Sequence, residues 1–234
     1  METLVDSELA TPSSSLPIGA QLHRQLRDAI IRAELKPGQA LSEAEVSRQY
    51  AVSRQPVREA FIKLAEERLV EVLPKRGTFV VKISIADVMD ARFVREVIEV
   101  AVVQEVAVAA PAELVADLRE LLALQAATEP GDHARFLALD EAFHHRIAHA
   151  DNREHAWRVI ESVKAQMDRV RYLSIDVATP VELIVAQHRR IVDAIEAGDP
   201  VAAGAAMRSH LREILKSLPE IAAARPEIFE TPSA

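Results

Sequence analysis

The chain contains no cysteine. Disulfides and thiolate-bound metals are therefore excluded, and any metal must be held by histidine, carboxylate or water. The same absence permits a reducing compartment. Also missing is any run of 18 apolar residues, so no membrane span is expected. No basic segment followed by an apolar run stands at the N-terminus, so no secretory signal is expected and a cytoplasmic location is. Excess positive charge is lacking too: the formal net charge is -8, the wrong sign for a nucleic-acid binder taken as a whole.

The distribution of charge says more than its sum. Residues 1–18 carry three acids and no base, while residues 19–82 carry twelve Lys or Arg against eight Asp or Glu, or +4. Residues 83–234 carry sixteen against twenty-five, or -9. A mildly basic head and an acidic body fit two domains with different tasks. At 234 residues with 49% hydrophobic content, the chain can build a core in each.

Residues 1–17, rich in Ser, Thr and Pro, read as a flexible tail. Ile18, Leu22, Leu26 and Ile30 keep a four-residue beat that predicts a helix over 18–34, ended by Pro37-Gly38. Ser42 with Glu45 forms a capping box for a short helix over 43–49. Ser53 caps a third helix over 54–67, with Pro56 in its first turn and Val57, Ala60, Phe61 and Leu64 as its buried stripe. Two strands then flank the turn Pro74-Lys75-Arg76-Gly77. Three short helices and a hairpin make a winged helix-turn-helix over 18–82.

Beyond Lys82 only helical periodicity remains. Six antiparallel helices are expected near 84–110, 113–127, 131–149, 151–174, 180–197 and 200–218, with 219–234 as a C-terminal tail. The fold class is therefore mainly α: a winged head followed by a helical bundle over 84–218.

Arg54 and Arg58 lie one turn apart and project from one face of the third helix. Arginine pairs bidentately with guanine and also grips phosphate. Ser53 and Gln55 stand at the same helix start, where base edges and phosphates are met. Lys75 and Arg76 sit at the hairpin tip, and Gly77 permits its tight turn. These seven residues are the candidate DNA contacts. The run Val52-Ser53-Arg54-Gln55-Pro56-Val57-Arg58-Glu59-Ala60, preceded by Leu41-Ser42-Glu43 and followed by Pro74, Arg76 and Gly77, resembles the GntR family of bacterial transcription regulators. Two departures are visible. Arg68 stands where that family turns on glycine, and Ala44 stands where some members carry a DNA-contacting arginine.

The body resembles the helical ligand-binding domain of the FadR subfamily through three runs: Asp140-Glu141-Ala142-Phe143-His144, Gln187-His188-Arg189-Arg190-Ile191 and Ala206-Met207-Arg208-Ser209-His210-Leu211. The resemblance implies a metal site at Asp140, His144, His188 and His210. Asp140 and His144 share a helical face, and the helices bearing His188 and His210 can close around the same cavity. Three imidazoles and a carboxylate suit zinc, with nickel, cobalt or manganese as alternatives. The resemblance also implies a small organic acid effector, met by Arg95. An Arg95–Glu99 surface salt bridge is the competing reading, and Arg92 an alternative occupant of the cavity. Asn152 either caps a helix or lines the pocket. His145 and His149 face away from the ligand pair.

Together these features predict a homodimeric, non-enzymatic repressor that binds palindromic double-stranded DNA and releases it on binding the acid. A metal-dependent hydrolase with a DNA-binding head is the alternative from another class, and a non-sensing architectural protein a third.

Overall fold

The computed structural model describes residues 16–175 and 178–231, so residues 1–15 of the expected N-terminal tail lie outside the described residues. The chain forms two compact units, one ending at Lys82 and the other starting at Ile83.

In the first unit, α1 (Ile18–Ile31) packs on α3 (Arg54–Glu66), with α2 (Glu43–Gln49) beside α3. Leu22, Leu26 and Ile30 from α1 and Val57, Ala60, Phe61 and Leu64 from α3 are buried, the stripes their spacing predicts. Helix α1 stops three residues before its expected end because Ala33 turns left-handed, at φ 59°. The Ser42 hydroxyl accepts from the Glu45 amide at 3.4 Å, as the capping box requires. Strands β2 (Val70–Leu73) and β3 (Gly77–Val80) pair antiparallel, with Leu73 opposite Gly77. A third strand, β1 (Ala40–Leu41), joins the free edge of β3. Two residues long, β1 exists through its partner and leaves no periodicity in the sequence.

The second unit is all helical apart from its termini. It comprises α4 (Ile85–Val108), α5 (Ala112–Ala126), α6 (His133–Ala150), α7 (Glu154–Val163), α8 (Ala165–Ser174), α9 (Val181–Glu196), α10 (Pro200–Leu211) and α11 (Ile214–Ala224). Side-chain caps at Ser84, Asp132 and Asp199 set the starts of α4, α6 and α10. Val103, Leu114, Leu118, Phe143, Ile191 and Met207 form the central core between α4, α5, α6, α9 and α10. A Cβ at Gly204 would stand 2.7 Å from the Gln104 amide nitrogen, so glycine there lets α10 lie close to α4.

Two expected helices are each divided. The span 151–174 breaks at Lys164, and 200–218 breaks at Arg212–Glu213. At the second break the amides of Glu213, Leu215 and Lys216 each bond back three residues, so the backbone tightens for one turn. No proline or glycine marks either place.

The expected C-terminal tail over 219–234 is corrected by the structure. Helix α11 runs through Pro219 to Ala224, a 3₁₀ turn follows at Pro226–Ile228, and Ile228 and Phe229 are buried. The Ile83 amide donates to the Ile228 carbonyl at 2.8 Å, and the Glu230 amide to the Ile83 carbonyl at 3.0 Å. Three prolines suggested a loose end, but the apolar line Ile214, Leu218, Ile221, Ile228 and Phe229 holds the segment on the body. Residues 232–234 lie outside the described residues.

Candidate metal centre and nucleic-acid interface

Asp140 and His144 from α6, His188 from α9 and His210 from α10 meet in the interior of the body. One ligand atom from each lies within 4.8 Å of all the others, and all four residues are buried. Nε2 of His210 is 3.1 Å from Nε2 of His144 and 3.2 Å from Nε2 of His188. Oδ1 of Asp140 is 3.5 Å from Nε2 of His188 and has no hydrogen-bond partner of its own.

The outer ring nitrogens decide what these contacts mean. Gln125 donates its amide to the Leu139 carbonyl, so its oxygen faces Nδ1 of His188 at 2.8 Å and accepts from it. Gln187 donates to Glu213, so its oxygen accepts from Nδ1 of His210 at 3.0 Å. The Glu99 carboxylate, which can only accept, stands 2.5 Å from Nδ1 of His144. His188 and His210 thus carry their protons on Nδ1 and turn bare Nε2 lone pairs toward Nε2 of His144, whose own Nδ1 lies beside Glu99 without hydrogen-bond geometry. Lone pairs so placed repel unless a cation sits among them. Ligands bound at about 2.0–2.1 Å in a tetrahedron stand roughly 3.3–3.4 Å apart, close to the spacings seen here. The outer partners match the usual support of a metal-bound histidine.

Electrostatics agree. Burial pushes His188 down to about 3, the pull of Asp140 being outweighed by burial and nearby positive charge, and burial with the neighbouring imidazoles also lowers His210. Both rings are neutral at neutral pH, as a ligand must be. Burial works to raise Asp140, but Arg171 and the three histidines hold its carboxyl well below the ordinary value. Arg171 of α8 donates to Oδ2 of Asp140, which leaves Oδ1 turned to the cluster.

A cavity of about 40 Å³ adjoins the cluster, lined among others by Arg95, Arg171, Gln187, His210 and Ser217. Arg95 is buried and donates from Nε to Oε1 of Glu99 at 2.5 Å. The expected Arg95–Glu99 pair thus exists, but inside the body and not on its surface. Arg92 pairs instead with Glu96. Asn152 lies elsewhere: it is exposed, at φ 55°, just past α6. Its amide donates to His149 and the Arg153 amide to Ala148, which closes α6 with a Schellman turn. Asn152 therefore terminates a helix and does not line the cavity. His145 and His149 are exposed and pair with Glu154.

In the first unit, Ser53, Arg54, Gln55 and Arg58 are all exposed along the start of α3, and Ser53 makes no capping hydrogen bond. Gln55 donates to Glu59 at 3.0 Å. Arg58 is held by both oxygens of Glu43, each at 3.1 Å, which sequence reasoning had not paired with it. Lys75, Arg76 and Gly77 are exposed at the hairpin tip, where the Arg76 amide bonds back to Leu73 and Lys75 and Gly77 take positive φ. Arg68 is left-handed, at φ 56°, with Leu69 bonding back to Leu64. That is the backbone shape for which glycine is suited, adopted by arginine.

Of the residues that face the outer ring nitrogens, Gln187 stood in a run that carries the resemblance, while Gln125 carried no motif. Glu99 was visible through its i,i+4 spacing from Arg95.

Comparison with known proteins agrees with this geometry. Residues 18–80 match the family of bacterial regulatory proteins, gntR family, and residues 90–213 match the FCD domain. The HTH-type transcriptional repressor RspR of Escherichia coli (strain K12) is 41% identical over 206 residues, spanning 88% of this chain and 90% of that protein. A transcriptional regulator GntR from Rhodococcus sp. RHA1 superposes with a TM-score of 0.70 at 28% identity, over 88% of this chain and 98% of that one. The structure of E. coli McbR/YncC matches with a TM-score of 0.73 at 21% identity, over 89% and 99% of the two chains, a likeness of fold. Among the described residues, no helix is long and apolar enough to cross a membrane.

Proposed function

Because this chain belongs to the gntR family of bacterial DNA-binding regulators and carries an FCD domain, not a catalytic one, we propose that it is a cytoplasmic, homodimeric repressor whose grip on DNA is set by a small acid bound beside a divalent metal. The observation that carries this reading is the convergence of three buried histidines, two of them with acceptors at Nδ1, and an unpartnered Asp140 oxygen on one point. Asp140, His144, His188 and His210 would hold the ion, and zinc suits three nitrogens and one oxygen best, ahead of nickel, cobalt and manganese. When bound, it would supply a Lewis acid that takes a carboxylate oxygen by expanding its coordination beyond the four protein ligands.

The chain's own residues supply the rest. Arg95 lines the cavity and carries a guanidinium fork suited to a carboxylate. The cavity, about 40 Å³, has room for about three water-sized occupants, which favours a short-chain acid over a fatty acyl group. Arg95 belongs to α4, the first helix of the body, so an acid drawn to it acts on the element next in sequence to the head. In the head, Ser53, Arg54, Gln55 and Arg58 would enter the major groove of each operator half-site. Lys75, Arg76 and Gly77 would follow the adjacent backbone. Repression is favoured by the 41% identity to a protein named as a repressor.

Elemental analysis of the purified protein beside a His188→Ala/His210→Ala variant tests the centre. About one divalent metal per chain, lost in the variant, is expected. No metal after reconstitution with zinc, nickel and manganese would remove the metal from this reading and leave the DNA contacts standing. Short carboxylates are then titrated against the protein free and DNA-bound. Equal affinity for the two states would sink the control model, because coupling is reciprocal.

A further inference from the structure

Helix α8 is buried over most of its surface, yet it carries charge inward. Lys164 at the α7–α8 break, Asp168 and Arg171 are spaced four and three apart, so they share one face. Lys164 and Asp168 are buried, and Arg171 lines the cavity beside the histidine cluster. Two rungs tie this face to α6. The Lys164 ammonium donates to Oε2 of Glu141 at 3.1 Å, and Nη2 of Arg171 donates to Oδ2 of Asp140. Asp168 stands between the two cations. Its Oδ2 accepts from Lys164 at 2.6 Å, and its Oδ1 is 3.7 Å from Nη1 of Arg171. Stability alone does not account for such a set, because well-packed apolar residues serve a buried core as well as ion pairs do.

We propose that Asp168 is a positioning residue for the metal centre: it holds one arm of Arg171, so that Asp140 keeps an oxygen for the ion. The inference rests on the metal reading above. An arginine fork beside a carboxylate favours both oxygens, through two parallel N–H···O bonds. Here the fork is divided. Nη2 serves Oδ2 of Asp140, while Nη1 is turned to Asp168. Oδ1 of Asp140 consequently has no hydrogen-bond partner and stands 3.5 Å from Nε2 of His188. Were Nη1 released, the fork would close on Oδ1 as well. The ion would then meet three histidines and no carboxylate.

Lys164 completes the arrangement by holding the second oxygen of Asp168, and Glu141 anchors it from α6. The break between α7 and α8 thereby gains a task. It places an ammonium at the far end of a line of alternating charges, Lys164, Asp168, Arg171 and Asp140, that ends on the metal centre. An asparagine at 168 can still accept from Lys164 through its carbonyl, but it turns no negative charge to Arg171.

Cobalt(II) titrated into metal-stripped, full-length protein tests this, because its ligand-field bands report the ligands as well as the affinity. Asp168→Asn is compared with the parent and with Asp140→Ala, which lacks the carboxylate altogether. Asp168→Asn should bind cobalt about ten- to hundredfold more weakly than the parent. Its bands should move from those of the parent to those of Asp140→Ala. Asp168→Ser is carried alongside, and far-UV circular dichroism selects the variant that folds. Parent-like bands in a folded variant would overturn the proposal at any affinity, since a charge lost at a distance weakens binding without changing the ligands. That result would leave the metal reading standing. A parent that takes up no cobalt would overturn both.

Discussion

The two units each contain an arginine–glutamate pair, and the pairs differ in nearly everything but chemistry. Arg58 and Glu43 stand in water, with side chains 58% and 34% exposed. Arg95 and Glu99 are 4% and 6% exposed. The first pair is screened and exchangeable: a phosphate can take the place of Glu43 with little desolvation cost. The second is locked. Glu99 must neutralise Arg95 and face His144 at once, and burial, which works to raise its carboxyl, is outweighed by Arg95 and His144, so that it is held at about 2. A recognition surface needs charges that can change partners, whereas a metal centre needs charges that cannot.

The largest effect should come from breaking the buried pair. Glu99→Ala leaves Arg95 buried without its counter-charge and His144 without its outer partner. A loss of about 3–5 kcal/mol is expected, read from urea unfolding of metal-stripped protein. A loss below about 1 kcal/mol would mean that solvent reaches Arg95.

The exposed pair should behave in the opposite way. Arg58→Ala should weaken operator binding about ten- to hundredfold without moving the unfolding midpoint. Glu43→Ala should tighten binding to non-specific duplex and steepen its salt dependence by about one phosphate contact, because Arg58 no longer has a competing anion. If Glu43→Ala weakens binding instead, Glu43 serves to aim Arg58 and not to compete for it.

A smaller effect concerns acid. Glu67, at the end of α3, takes His23 at 2.7 Å and Arg27 at 2.9 Å from α1. Burial works to raise its carboxyl, but the hydrogen bond with His23 and the charge of Arg27 outweigh burial and hold it below the reference 4.5. The contribution is present above that reference value and is lost as pH falls through the folded one. Head unfolding followed from about pH 6 to about pH 3 should therefore show a shallower acid decline in Glu67→Gln than in the parent. Parallel declines would assign the acid sensitivity to other carboxylates.

The smallest change should be a gain. Arg68→Gly relieves a left-handed arginine at the end of α3, offset in part by glycine's greater freedom when unfolded, for a net stabilisation of about 0.5 kcal/mol. Destabilisation would mean that the arginine side chain contributes more than its backbone costs.

The same contrast explains what the sequence made legible. The head's contacts are contiguous: Ser53 to Arg58 is one helix start, and capping, proline placement and periodicity all report on it. The four metal ligands were reached through runs on separate helices, and a bundle that closes those helices together brings them to one point. One of their supports, Gln125, could not be reached in that way. Gln125 is one polar residue among leucines and alanines on α5, and its meaning comes from His188, 63 positions away. Asn152 was left between two roles for a related reason: asparagine suits both a pocket and a left-handed turn, and only the backbone shows which. Helix breaks at Lys164 and Arg212 likewise follow from packing and not from a local breaker.

The hydrogen bonds between Ile83 and the segment at 228–230 bring the two ends of the body to within one strand spacing of each other. The helical unit is thus nearly a closed loop of chain with a clasp. Its order of helices is one of several that the same packing would allow. A circularly permuted body, joined across this clasp by a short linker and opened at the Gly198 turn between α9 and α10, should assemble the same four-residue centre.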